Sequence, residues 1–426
     1  MILNRFSLRT GIGCVLLAFS LLYSNSAATQ TKAKILFNET QQLVYQIRVI
    51  DLASGDKYSI GSGFLISDRG HIATNYHVVS SYVHEPAKYR LEYVDFQGVT
   101  GELELLAIDV IHDLAITGSG ARSGHYLALT EQELSNGDRI YSMGNPHDLG
   151  MTIIEGTFNG LVENSRYRKF LFSGSLNAGM SGGPALNQAG EVMGINVSKG
   201  GEQISFLVPA AHLAALRSSL DTAGADRDFG AEIGAALTAD QREFYQNILQ
   251  TPLREKVMGQ LQVPGKLADS LRCWGHTADE EDIKYDAVHQ HCQSEDQIFI
   301  SGELYVGDFN YDIELISTTQ LNRYQFYNLV EERFTHRALY NASTGEDITN
   351  YRCHTDVVHM DSGNWKISSC LRAYKDYSGL FDASLIMAST DFTQQAAIVK
   401  ISATAITASN AEAIFRRIME SVEWIQ

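Results

Sequence analysis

Three short segments carry side chains that together could break an acyl bond: "ATNYHVV" with His77, "AIDVIHDLAI" with Asp113 and "GMSGGP" with Ser181. A serine hydroxyl is too weakly acidic to attack a carbonyl carbon at neutral pH. It needs a histidine to take its proton and a carboxylate to fix that imidazole's tautomer. Ser181 stands among Gly179, Gly182 and Gly183, which allow close backbone approach. Glycine at 179 matters most, because the N–H groups of residues 179 and 181 must point together at a developing oxyanion. Asp109 and His112 flank Asp113 and compete for its role.

Groups this far apart in the chain need a scaffold to bring them together. Residues 33–209 read as short β-rich runs broken by glycine turns, among them "QLVYQIRVIDL", "GSGFLIS", "GELELLAID" and "QISFLVP". Short, regularly spaced strands with almost no helix between them predict an all-β barrel or sandwich. "PAAHLAALRSSL" reads as a helix closing this first domain, with Pro209 at its first turn. Residues 221–235 are small, polar and glycine-containing, and read as a linker; a helix is expected to start near a Thr238 cap. Residues 236–426 alternate strand-like and helix-like runs, which predicts an α+β domain ending in an amphipathic helix entered at Asn410.

The 426-residue chain is 44% hydrophobic, enough for two or three buried cores. Its N-terminus places Arg5 and Arg9 before an apolar run and then Ser26-Ala27-Ala28, the order of a secretory signal peptide over residues 1–28. The run is too short for a comfortable membrane span. Without that segment, which holds two arginines and no acid, the net charge moves from −17 to −19. Such acidity disfavours nucleic acid and anionic membranes as partners. The expected destination is therefore periplasmic or secreted. Four cysteines remain, Cys273, Cys292, Cys353 and Cys370, in a chain addressed to an oxidising compartment. Neighbouring histidines such as His276, His289, His291, His354 and His359 raise zinc as an alternative, but the spacings form no regular two-plus-two set. Two disulfides are expected, with no metal and no cofactor. Four cysteines permit three pairings, and the short loops favour Cys273–Cys292 and Cys353–Cys370.

"GSGFLIS…HIATNYHVV", "DLAI", "SMGNP", "NAGMSGGPAL", "GEVMGINVS" and "ISFLVPAAHL", in this order, resemble the trypsin-like serine peptidases of the HtrA/Deg type. The resemblance covers about residues 33–220, a trypsin-like serine protease domain. It implies an all-β double β-barrel of chymotrypsin type, with His77, Asp113 and Ser181 as a catalytic triad. It also implies an oxyanion hole lined by Gly179, Met180 and Ser181, and Asp113 rather than Asp109 as the acid. By the same resemblance Ser175, Asn196, Val197 and Ser198 border the substrate pocket. These are small, polar or apolar, and no aspartate stands six residues before Ser181, so small or medium aliphatic side chains are expected at the cleavage position. Protein or peptide substrates follow, cleaved through an acyl-enzyme.

Two features depart from the resemblance. No PDZ-like loop follows residue 218; the cysteine-bearing domain takes that place. Met180 stands where trypsin has an aspartate that pairs with a new N-terminus and where HtrA-type enzymes carry asparagine. This loop must then be held by apolar packing or other backbone bonds. A different class of function remains on the sequence: a peptide-binding or chaperone-like protein that retains the protease fold without catalysis. Ester cleavage is open to the same triad.

Overall fold

The computed structural model describes residues 31–120, 122–201, 203–221, 227–278, 284–302, 304–335 and 343–425. The expected signal peptide, residues 1–28, lies outside the described residues. No helix among those described is long and apolar enough to cross a membrane.

Twelve strands build two closed antiparallel barrels. In the first, β1 (Val44–Asp51), β2 (Lys57–Leu65), β3 (His71–Thr74), β4 (Tyr89–Val94), β5 (Thr100–Asp109) and β6 (Leu114–Gly118) close in the order 1-2-3-6-5-4. In the second, β7 (Arg139–Gly144), β8 (Thr152–Leu161), β9 (Phe170–Phe172), β10 (Pro184–Leu186), β11 (Val192–Gly201) and β12 (Ile204–Pro209) close in the order 10-11-12-9-8-7. Closure removes the unpaired edges that strands this short would otherwise expose. Buried Val44, Ile47, Phe64, Ile72, Leu91 and Ile116 fill the first barrel. Ile140, Phe172, Met180, Met193 and Leu207 form a tight cluster in the second. A helix Ala210–Ser219 follows β12, entered through Pro209. Two helices were not anticipated: Lys32–Thr40, capped by Thr31, and Tyr76–His84, which directly follows β3 and carries His77 on its first turn.

The expected linker, residues 221–235, is shortened by a 22-residue helix, Phe229–Gln250. Asp228 caps it by accepting from the N–H of Ala231 at 3.0 Å. Thr238, the expected cap, lies inside this helix, and its hydroxyl donates back to the Gly234 carbonyl at 2.8 Å. The last helix likewise begins earlier than expected, at Ala408, with Thr407 rather than Asn410 as its cap.

The remainder is mostly β rather than an even α+β mixture. A seven-stranded antiparallel sheet runs in the spatial order Leu271–Ala278, Asp286–Ser294, Phe309–Ser317, Gln395–Thr407, Leu380–Ser389, Gly363–Ala373, Arg352–Met360. Helices Phe229–Gln250 and Ala408–Glu420 cover one face through Phe244, Ile248, Ile414 and Ile418. The two edge strands are largely exposed and lack the apolar alternation that marks a half-buried strand. Each edge is tied to its neighbour by a disulfide between directly opposed residues, Cys273 to Cys292 and Cys353 to Cys370.

Candidate active site

The first barrel supplies a histidine and a carboxylate. β3 ends at Thr74, whose hydroxyl donates to the Ser62 carbonyl at 2.8 Å, and the chain then turns into the helix that carries His77. Asp113 sits in the turn from β5 to β6 with φ +55, a left-handed conformation that aspartate tolerates better than most residues. Asn75 Nδ2 donates to the Asp113 carbonyl at 2.7 Å, which locks the two turns together. Both carboxylate oxygens face His77: Oδ1 accepts from its backbone N–H at 2.8 Å and Oδ2 lies 2.6 Å from Nδ1. A proton held on Nδ1 leaves Nε2 as the free base. Burial by itself would push the His77 imidazole down, but the Asp113 charge and hydrogen bond outweigh it, and His77 titrates above the ordinary histidine value.

Asp109 is excluded as a competitor by its own bonds. Its Oδ1 accepts from the N–H groups of Ile111 and His112, both at 3.1 Å, and its Oδ2 lies 2.7 Å from His112 Nδ1. His112 in turn stacks on His212 with ring centroids 3.7 Å apart.

The second barrel supplies the serine, on the turn leading into β10. Gly179 and Gly182 take φ +92 and φ +82. A Cβ at 179 would come within 2.4 Å of the Asn145 carbonyl oxygen, and one at 182 within 2.3 Å of the Ser62 carbonyl oxygen. No other residue type fits either place. The Ala178 carbonyl accepts from the N–H of His147 at 2.8 Å. Because C=O and N–H point opposite ways across a trans peptide, this turns the Gly179 N–H away from His147. Among the described residues neither the Gly179 nor the Ser181 N–H donates to a backbone carbonyl, so both remain available as oxyanion donors. Met180 differs: its N–H donates to Asn177 at 3.0 Å, so it does not line the oxyanion hole as expected. Its side chain is fully buried in the second barrel's cluster.

Two buried residues hold this loop, and the first of them, Ser62, was missed as a site element. Ser62, in β2, is fully buried; its hydroxyl donates to the Gly179 carbonyl at 2.7 Å and accepts from the Asn145 N–H at 2.9 Å. Asn196, expected in the substrate pocket, is also fully buried. Its Nδ2 donates to the carbonyls of Met143 and Met180 at 2.9 and 3.1 Å, and its Oδ1 accepts from Ser142 at 2.7 Å. It is a brace and not a pocket wall. Asp148 braces the neighbouring 3₁₀ turn Pro146–Asp148 from the first barrel, pairing with Lys57 and accepting from Gln46 Nε2 at 2.6 Å. The Lys57 and Gln46 hydrogen bonds hold the Asp148 carboxyl below its usual range.

Ser181 Oγ donates to the Val197 carbonyl at 3.1 Å rather than to His77. Val197 lines the cavity beside His77 and Asp113, whereas Ser175 does not. The Ser198 side chain lies outside the described residues. Among the described residues, no group of three or more His, Cys, Asp or Glu is arranged to hold a metal ion.

Residues 61–195 match the family model described as a trypsin-like peptidase domain. The serine protease HTRA1 of Xenopus laevis is 31% identical over 160 residues, 35% of this chain and 34% of that protein. A probable periplasmic serine endoprotease, DegP-like, of Brucella suis is 33% identical over 162 residues, again 35% of this chain and 30% of that protein. The serine endoprotease DegS of Escherichia coli is 31% identical over 166 residues, 35% of this chain and 45% of that protein. The chain thus spans between 30% and 45% of the length of these curated relatives.

Proposed function

We propose that the chain is a serine endopeptidase that cleaves polypeptides through an acyl-enzyme. The carrying observation is the pairing of Asp113 with both the backbone N–H and Nδ1 of His77, which leaves Nε2 as a base. His77 takes the proton as Ser181 Oγ attacks the scissile carbonyl, and Asp113 steadies the imidazolium that forms. The oxyanion meets the N–H groups of Gly179 and Ser181. His77 then protonates the leaving amine, and water repeats the sequence on the acyl-enzyme. Val197 beside the serine supports cleavage after small or medium aliphatic residues. A periplasmic or secreted location agrees with the two disulfides.

One observation favours a second reading, binding of polypeptide without cleavage: Ser181 Oγ is bonded to the Val197 carbonyl. A fluorophosphonate probe added to the chain from residue 29, beside Ser181→Ala, decides between them. Labelling of the parent alone is expected. Equal labelling of both, or of neither across about pH 6–9 where a triad histidine becomes neutral, would sink the peptidase reading.

A further inference from the structure

The hairpin Ile298–Ser301 and Leu304–Val306 belongs to the second domain in sequence but packs on the first barrel. Its alternation divides its side chains. Ile298, Ile300, Leu304 and Val306 are buried in the large apolar cluster that joins the first barrel to parts of the second barrel and of the second domain. Phe299 and Tyr305, opposed across the hairpin, project from the other face and meet edge to face at 5.3 Å. Phe299 stands edge-on to His77, with ring centroids 6.2 Å apart.

The hairpin is anchored on both sides of this contact. Tyr76, the residue before His77 and fully buried, donates its hydroxyl to the Ile300 carbonyl at 2.7 Å. Asp296, just before the hairpin and 5% exposed, pairs with Lys169 at 2.7 Å and accepts from the Arg166 N–H at 2.6 Å. These partners lie between β8 and β9 of the second barrel, so the hairpin bridges both barrels at the mouth of the site. It does not fill the site: a cavity of about 340 Å³ remains, lined by Val110, Ile111, Val197, Phe299 and Tyr305 beside His77, with Asp113, Arg168 and Lys169 also on its wall. That is within the size range of ligand pockets, about 300–1,000 Å³, and these walls are mostly apolar.

We propose that this hairpin is part of the substrate cleft, with Phe299 and Tyr305 as specificity-determining residues. They wall a pocket beside His77 that receives one apolar side chain of the bound polypeptide next to the scissile bond. Sequence preference is then set jointly by the barrels and the second domain. The anchoring carries the choice of a fixed wall over a plug, since a plug would occupy the space that stays open. This assignment rests on the peptidase reading.

The test uses the chain from residue 29 and fluorogenic peptides varied one position at a time on both sides of the cleaved bond. The parent is expected to prefer Leu, Ile or Phe over Ser or Asp by about tenfold or more in kcat/KM at one position beyond the residue cleaved after. Phe299→Ala and Tyr305→Ala should flatten that ratio to about twofold while leaving the ratios at other positions unchanged, and Phe299→Leu should retain it. If Phe299→Ala does not fold, Tyr305→Ala, at a residue 38% exposed, carries the test. Unchanged ratios in both alanine variants overturn the pocket. So does a kcat/KM that rises alike for every peptide, which would make the hairpin a cover. A parent chain that neither cleaves nor takes a fluorophosphonate overturns the peptidase reading itself, and the pocket with it.

Discussion

Ser62→Ala is the sharpest probe of what holds the oxyanion loop. The hydroxyl makes two buried bonds, to the Gly179 carbonyl at 2.7 Å and from the Asn145 N–H at 2.9 Å. Removing it leaves both backbone groups without that partner, and an orphaned buried polar group costs about 1–3 kcal/mol. Gly179 is the group whose N–H must face the reacting carbonyl, so the cost falls on the catalytic arrangement of the loop. Conformers that let these groups reach water gain in proportion. At about 1.4 kcal/mol for each factor of ten, kcat should fall about 10- to 100-fold. The His77–Asp113 pair is untouched, so the pH at half-maximal kcat/KM should not move, and KM should stay within about twofold. Steady-state kinetics on a peptide substrate over pH 5–9 separates these quantities, with thermal unfolding run alongside. A kcat within about twofold of the parent would refute the positioning role, and a displaced pH midpoint would show that the variant acts through His77 instead.

Asp113→Asn removes the charge that raises His77, leaving burial to push the imidazole down. Parent kcat/KM should therefore reach half its maximum above about pH 6.5, and the variant's midpoint should lie lower, with kcat reduced about 10⁴-fold by loss of the tautomer control. A pH–rate profile with an unmoved midpoint would contradict the pairing. Met180→Asp puts an unpaired carboxylate into the second barrel's apolar cluster and should cost at least about 3 kcal/mol in urea unfolding, whereas Met180→Leu should cost less than about 1.5 kcal/mol. Equal stability of the two variants would show that packing does not hold this loop. His212 is depressed to about 4 by burial and by the stacked His112. The unfolded chain therefore takes up this proton first, and stability falls as pH drops from about 6.5 toward 4. For a half-buried group the loss is about 1–2 kcal/mol, to be read from urea midpoints at pH 7.5 and 5; His212→Phe, which keeps a stacked ring, should lose less than the parent. An identical acid loss in both would assign the sensitivity elsewhere.

Much of this molecule is legible in one dimension because the signals are local. The strands of both barrels announce themselves by short β-rich runs between glycines, since each must bury one face. Gly179 and Gly182 are readable because only glycine takes their positive φ against neighbouring backbone. The disulfide partners are readable from loop length, because a short hairpin brings residues 19 and 17 apart in sequence face to face. His77 and Asp113 needed the pattern of several segments together, since nothing within "ATNYHVV" or "AIDVIHDLAI" says that they meet.

The remaining determinants come from contacts between residues far apart in the chain, for which a local pattern carries no signal. Ser62 reaches Gly179 across 117 residues, and within "GSGFLIS" it looks like any small strand residue. The resemblance placed Asn196 at the pocket, yet its side chain is fully buried, where it grips the Met180 carbonyl. Tyr76 and Ile300 meet across 224 residues, which places Phe299 beside His77. The amino-acid sequence alone supplied the candidate reacting groups and the glycine turn that carries Ser181, because those depend on residue type and local backbone freedom. Only the tertiary structure decided how Met180 and its neighbours hold that turn, and that a hairpin of the second domain lies beside His77, because side chains distant in the chain become partners only once both barrels have closed.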